Sequence, residues 1–127
     1  MSHVSQAPAS ELFTRVRQWI LGAFSAGGAE LEMGSKLLPT FLRAGLPRPT
    51  MIAASRVESG PMSPAYEYLA RTLRSLLPLI ERGGVASATE IGIDTLADRL
   101  KDDAVANERV IFLPRMVGAW ARVAPTF

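Results

Sequence analysis

The stretch that most constrains how this chain can fold is Ser63 to Gly84, SPAYEYLARTLRSLLPLIERGG, where a helix start, an apolar stripe and a stop follow one another. Ser63 can accept hydrogen bonds from the first free amides, Pro64 suits the first helical position, and Gly83-Gly84 supply the freedom that ends a helix. Tyr66, Leu69, Ala70, Leu73, Leu76, Leu77 and Ile80 recur at spacings of three and four, which puts them on one broad face. Glu67 stands four residues before Arg71, a pairing that supports the exposed side by about 0.2–0.5 kcal/mol. Pro78 lacks an amide hydrogen, so the helix is expected to bend near Arg74 or split there.

The other segments are read as packing around this helix. Residues 1–9 are small and polar and read as a disordered lead-in. They contain His3, the only histidine. Ser10 opens a helix whose apolar face is Leu12, Phe13, Val16, Trp19, Ile20, Ala23 and Phe24, and Gly27-Gly28 end it. Trp19 and Phe24 at helical spacing are assigned to the core. Leu31 to Leu46 reads as a loop and then a short helix, with Pro39 near its first turn and Leu37, Leu38, Phe41 and Leu42 on its buried side. Thr50 to Val57 reads as extended and apolar on both faces, the pattern of a strand covered on both sides.

Ser87-Ala-Thr-Glu90 has capping-box spacing for a short helical turn. Asp94 is expected to cap a further helix carrying Ile93, Leu96, Ala97, Leu100, Ala104 and Val105. Asp98, Asp102 and Asp103 are read as its solvated acidic face, because no loop-type ligand pattern accompanies them. In the closing segment Pro114 splits Val110 to Val123, and the second part is the better strand, with Val117, Ala119, Ala121 and Val123 on one side.

Composition removes several function classes. The chain has no cysteine, which excludes disulfides and thiolate chemistry. With one histidine in the lead-in, histidine metal sites and Ser/His/Asp triads have no material. Net charge is only +2, with twelve arginines and two lysines scattered against twelve acids. A nucleic-acid footprint needs a basic stripe, and none is present. No apolar run reaches the length that spans a bilayer, and the first ten residues lack the pattern of a secretory leader, so the chain is expected to be cytoplasmic.

The expected fold class is therefore α+β and mostly helical, about four helices with two strands, in one domain over residues 10–123 followed by a tail, 124–127. Two strands make a poor sheet, because an isolated pair leaves edges and faces that need cover. The expected completion is a homodimer, another polypeptide, or a hairpin folded onto the helices.

Three segments also carry a likeness to a known family: GAELEMGSKLLPTFLRAGLPRPTM, SPAYEYLARTLRSLLPLIERGGVA and FLPRMVGAWARV. In their order they resemble the C-terminal portion of class I S-adenosylmethionine-dependent methyltransferases, particularly the bacterial small-molecule group, over most of residues 12–123. The resemblance implies that the two strands are the last two antiparallel strands of that sheet, the final one ending near an aromatic such as Trp120. It implies a helical pair over a substrate pocket, with Met33, Tyr66 and Tyr68 at helix starts as candidate walls. Tyr68 is the best of the three, because Tyr66 belongs to the main apolar stripe.

The family binds its methyl donor with an N-terminal half that has a Gly-rich strand-to-helix loop and an acidic residue for the ribose. This chain has neither, since its glycine pairs follow helices instead of opening them. No catalytic, cofactor or metal residue is therefore assigned. S-adenosylmethionine is expected only if a separate Gly-rich half completes the chain. The first expectation is thus the substrate-binding and lid half of a small-molecule methyltransferase, as a fragment or one chain of a split enzyme. The alternative is a stand-alone methyltransferase-like module that binds a hydrophobic small molecule or a protein partner without methyl transfer, or has been turned to another biosynthetic step. Glu58 or Glu67 would be candidates for acid–base work if buried beside a pocket.

Overall fold

The computed structural model describes residues 4–125; His3, Thr126 and Phe127 lie outside the described residues. The elements run β1 (Ser5–Ala7), α1 (Glu11–Ala26), α2 (Met33–Arg43), β2 (Thr50–Ala54), β3 (Val57–Glu58), α3 (Ala65–Arg82), α4 (Ala88–Ile91), α5 (Ile93–Ala106), β4 (Val110–Phe112) and β5 (Met116–Trp120). The chain is a mostly helical α+β protein.

The centre is α3, which packs against both α1 and α5. Its buried residues are Ala65, Tyr66, Leu69, Ala70, Leu73, Leu76 and Ile80, the three-and-four stripe seen in the sequence. Phe13, Val16, Trp19 and Ala23 of α1 and Leu96, Leu100 and Ala104 of α5 complete the helical core. Pro78 lies inside α3 and does not split it; the helix runs on to Arg82, with residue 78 simply lacking its ladder donor. Phe24, expected in the core, is 36% exposed, because it sits on the side of α1 that lines an open depression with Ile20 and Leu31.

Local capping follows the sequence at Ser10 and Ser87. Ser10 accepts from the Phe13 amide at 3.3 Å, and Ser87 accepts from the Glu90 amide at 3.1 Å. Asp94 does not cap α5. Gly92, at φ +60, ends α4 and starts α5 in a single left-handed residue, which leaves Asp94 inside the first turn as a 2.6 Å acceptor for Arg74. Asp103 also departs from the solvated acidic face, since it is half-buried and bonded to Ser10 and Arg109.

The strands form two antiparallel sheets. One has the order β1-β4-β3, with Gln6 opposite Ile111 and Glu58 opposite Ile111 on the other side. Ile111 is fully buried under this small sheet, and Val4 is buried beside the strand that replaces part of the expected lead-in. The other sheet is the β2–β5 ribbon, in register from Thr50 opposite Trp120 to Ala54 opposite Met116. The extended stretch expected over Thr50 to Val57 breaks at Ser55-Arg56, so β2 and β3 serve different sheets.

β2 is exposed along its whole length, which overturns the expectation of cover on both sides. α2 lies against the ribbon face that carries Val117 and Ala119, close enough that a Cβ on Gly34 would stand 3.0 Å from a Val117 methyl. No residue of α2 is fully buried, Leu37, Leu38 and Phe41 are half-buried and Leu42 is 44% exposed, so its predicted buried side is largely open. Pro39 sits in the middle of this helix, not in its first turn.

Candidate functional site

The loop between β3 and α3 is built by a chain of polar contacts. The Ser63 hydroxyl accepts from the Ala65 amide at 3.1 Å and donates to Glu58 at 2.9 Å, while Arg56 pairs with the other oxygen of Glu58. Tyr66 turns its ring into the core at 3% exposure and donates its hydroxyl to the Gly60 carbonyl at 2.9 Å. Burial, and then the charge of Glu58, push the Tyr66 phenol above its ordinary range. The same contacts that end the loop thus orient the start of α3.

Beside that start is a cavity of about 410 Å³. Its floor and walls are Pro64, Ala65 and Tyr68 of the α3 start, Ala54 and Arg56 from the β2–β3 break, and Leu113, Pro114 and Met116 leading into β5. Tyr68 is 52% exposed and Met116 70% exposed, so both present apolar surface to an incoming molecule. A second depression of about 450 Å³ lies between the start of α2 and β5, with Met33, Leu37, Arg115 and Val117 among its walls. Met116 lines both.

The three residues singled out in the sequence therefore separate. Tyr68 is in the first cavity, Met33 in the second across Met116, and Tyr66 in the core. Arg56, Leu113 and Met116 were not singled out. Met116 had a readable signal, since it begins the alternating strand and falls on the face opposite Val117; Arg56 had none, because its place depends on the break between β2 and β3.

Chemically the cavity offers shape, apolar walls and a phenol. Glu58 is occupied by Arg56 and Ser63, and Glu67 is exposed and bonded to Arg71 at 2.9 Å, so neither carboxylate faces the cavity free. Among the described residues no group of three or more His, Asp or Glu side chains could hold a metal ion. Among the described residues no helix is long and apolar enough to cross a membrane. Tyr66→Phe is expected to cost about 1 kcal/mol through the lost bond to Gly60. Amides 59–63 should then exchange faster while those of α5 stay protected; unchanged exchange in the loop would show that Tyr66 does not hold it.

The structure thus sets a cavity beside the open β2–β5 ribbon, where that ribbon meets the start of α3. Comparison with family models, with curated proteins and with solved structures finds no match to this chain.

Proposed function

We propose that this chain is the substrate-binding half of a cytoplasmic small-molecule methyltransferase, completed by a separate chain that binds S-adenosylmethionine. The observation that carries the reading is the β2–β5 ribbon. The resemblance requires the last two strands to pair antiparallel and to continue a larger sheet. β2 and β5 pair antiparallel, have no third strand beside them among the described residues, and expose Ile52, Met116 and Trp120 on the face away from α2. Such a ribbon is marginal in water, and its two open edges invite another strand. In this role the donor carries the chemistry, while Tyr68, Met116 and their neighbours orient the acceptor molecule and exclude water.

The cavity beside Tyr68 favours a second reading, in which the chain alone, or as a homodimer that covers the ribbon, binds a hydrophobic small molecule without transferring methyl. An apolar pocket of this size lies within the usual range of ligand sites, about 300–1,000 Å³.

Calorimetric titration separates the two. The isolated chain is expected to give no heat with S-adenosylmethionine, and a complex with a Gly-rich nucleotide-binding half encoded beside it is expected to bind the donor. Binding of the donor by the isolated chain would overturn the split-enzyme reading. So would a monomer whose β2 and β5 amides exchange as slowly as those of α3, because the ribbon would then need no partner.

A further inference from the structure

We infer that the cavity beside Tyr68 selects an uncharged aromatic molecule against anions and cations of the same shape. The inference rests on the reading of that cavity as the ligand site, and it holds with or without methyl transfer. It follows from the way the charge on the cavity wall is answered.

Arg56 is the one charged residue among those that line the cavity. Its side chain is 71% exposed, and its guanidinium pairs with one oxygen of Glu58. Glu58 is not itself part of the lining, and its other oxygen accepts from the Ser63 hydroxyl at 2.9 Å. The Arg56 carbonyl accepts from the Leu113 amide at 3.0 Å, which ties the backbone of this residue to the segment between β4 and β5. The wall therefore carries a closed ion pair instead of a free charge. Charged residues next in sequence to the lining do not alter this. Glu67, beside Tyr68, is bonded to Arg71 at 2.9 Å, and Arg115, beside Met116, lines the depression at the start of α2.

An anion entering the cavity would meet Arg56 and Glu58 together, so attraction to one is offset by repulsion from the other. It would still give up water to walls made by Ala54, Pro64, Ala65, Leu113, Pro114 and Met116, and that cost is not returned. A cation fares no better, because Arg56 stands in the lining and both oxygens of Glu58 are in use. An uncharged molecule loses only hydrogen bonds to water. The hydroxyls of Ser55 and Tyr68, and the N–H groups of Arg56 that Glu58 does not engage, are there to replace them. The walls also favour a ring. Tyr68, Pro64 and Pro114 offer flat apolar faces, and the unbranched, polarisable thioether of Met116 adapts to an aromatic edge.

Three compounds with one naphthalene body test this on the full chain: 1-naphthamide, 1-naphthoate and 1-naphthylmethylammonium, which at neutral pH are uncharged, negative and positive. Binding is read from the Met116 methyl resonance of protein labelled with carbon-13 at its methionine methyls. Naphthamide is expected to bind at least about tenfold more tightly than either ion. Glu58→Gln leaves the Arg56 charge unanswered and should raise the affinity for naphthoate about tenfold while that for naphthamide stays level. Arg56→Gln, at an exposed position, should instead raise the affinity for the ammonium compound. An ion that binds the wild-type chain as tightly as naphthamide, or an order of affinities unchanged in either folded variant, would overturn the charge selection alone. No response of Met116 to any of the three would overturn the cavity as a ligand site, and the inference with it.

Discussion

Leu73→Ala is expected to lower the unfolding free energy by about 2–5 kcal/mol, the range for truncating a buried leucine. Leu73 has no exposed surface and lies halfway along α3, the helix that touches both α1 and α5. Shortening it leaves a void bounded by side chains from more than one helix, and these can collapse only partly. Against a total stability of about 5–15 kcal/mol for an ordinary domain, the loss is a large fraction. Urea unfolding should show a lower midpoint with an unchanged slope, because the surface exposed on unfolding hardly alters. Leu77, one turn further on, is only half-buried, and its truncation should cost clearly less. Equal losses at the two positions would show that the core is not centred on the Leu73 side of α3.

That α3 was legible in the sequence follows from its length. Eighteen residues carry several repeats of the three-and-four pattern, so Tyr66, Leu69, Leu73, Leu76 and Ile80 identify the buried face without knowledge of what covers it. The short strands lack such redundancy. β1 and β4 have three residues each and β3 has two, too few for an alternation, and their pairing is set by Ile111 entering the core between Gln6 and Glu58. α2 failed in a different way. Its apolar stripe is real, but a periodic stripe predicts a face in need of cover, not that this chain supplies the cover.

The same distinction explains the site. Tyr68 lies just off the stripe of α3 and was readable as a surface aromatic, and the structure sets it at the cavity mouth. Its neighbours Ala54 and the pair Leu113 and Met116 come from two distant parts of the chain, brought together where β2 and β5 pair.

Arg109→Met is expected to cost about 1.5–3 kcal/mol, the value of hydrogen bonds to a charged group. Arg109 donates to both oxygens of Asp103, at 2.9 and 3.2 Å, and to the carbonyls of Pro8 and Ala9, at 2.8 Å each. The Ser10 hydroxyl donates to the same carboxylate at 2.7 Å. These bonds tie the start of α1 and the segment after β1 to the end of α5, joining parts of the chain about a hundred residues apart. Because the arginine is largely buried and the aspartate mostly so, at 11% and 26% side-chain exposure, the pair is weakly screened by water. Removing the arginine leaves a carboxylate that has lost its main donors, which is worse than removing both partners. The double variant Arg109→Met, Asp103→Asn should therefore recover part of the loss.

The pH dependence has a definite sign. Burial opposes ionisation of Asp103, but the hydrogen bonds from Arg109 and Ser10, with the arginine's charge, outweigh it and hold the carboxyl below its ordinary range. A carboxyl lowered in the folded state stabilises the fold fully above its unfolded pKa, about 3.9, and loses that contribution as pH falls through the folded value. Stability from this group should be level from pH 5 to 8 and decline below about pH 4. Asp103→Asn should flatten the acid limb of the unfolding curve while costing stability at pH 7. A variant with the wild-type acid limb would show that other carboxyls, not Asp103, govern unfolding in acid, and that the clasp between the two ends of the chain contributes little.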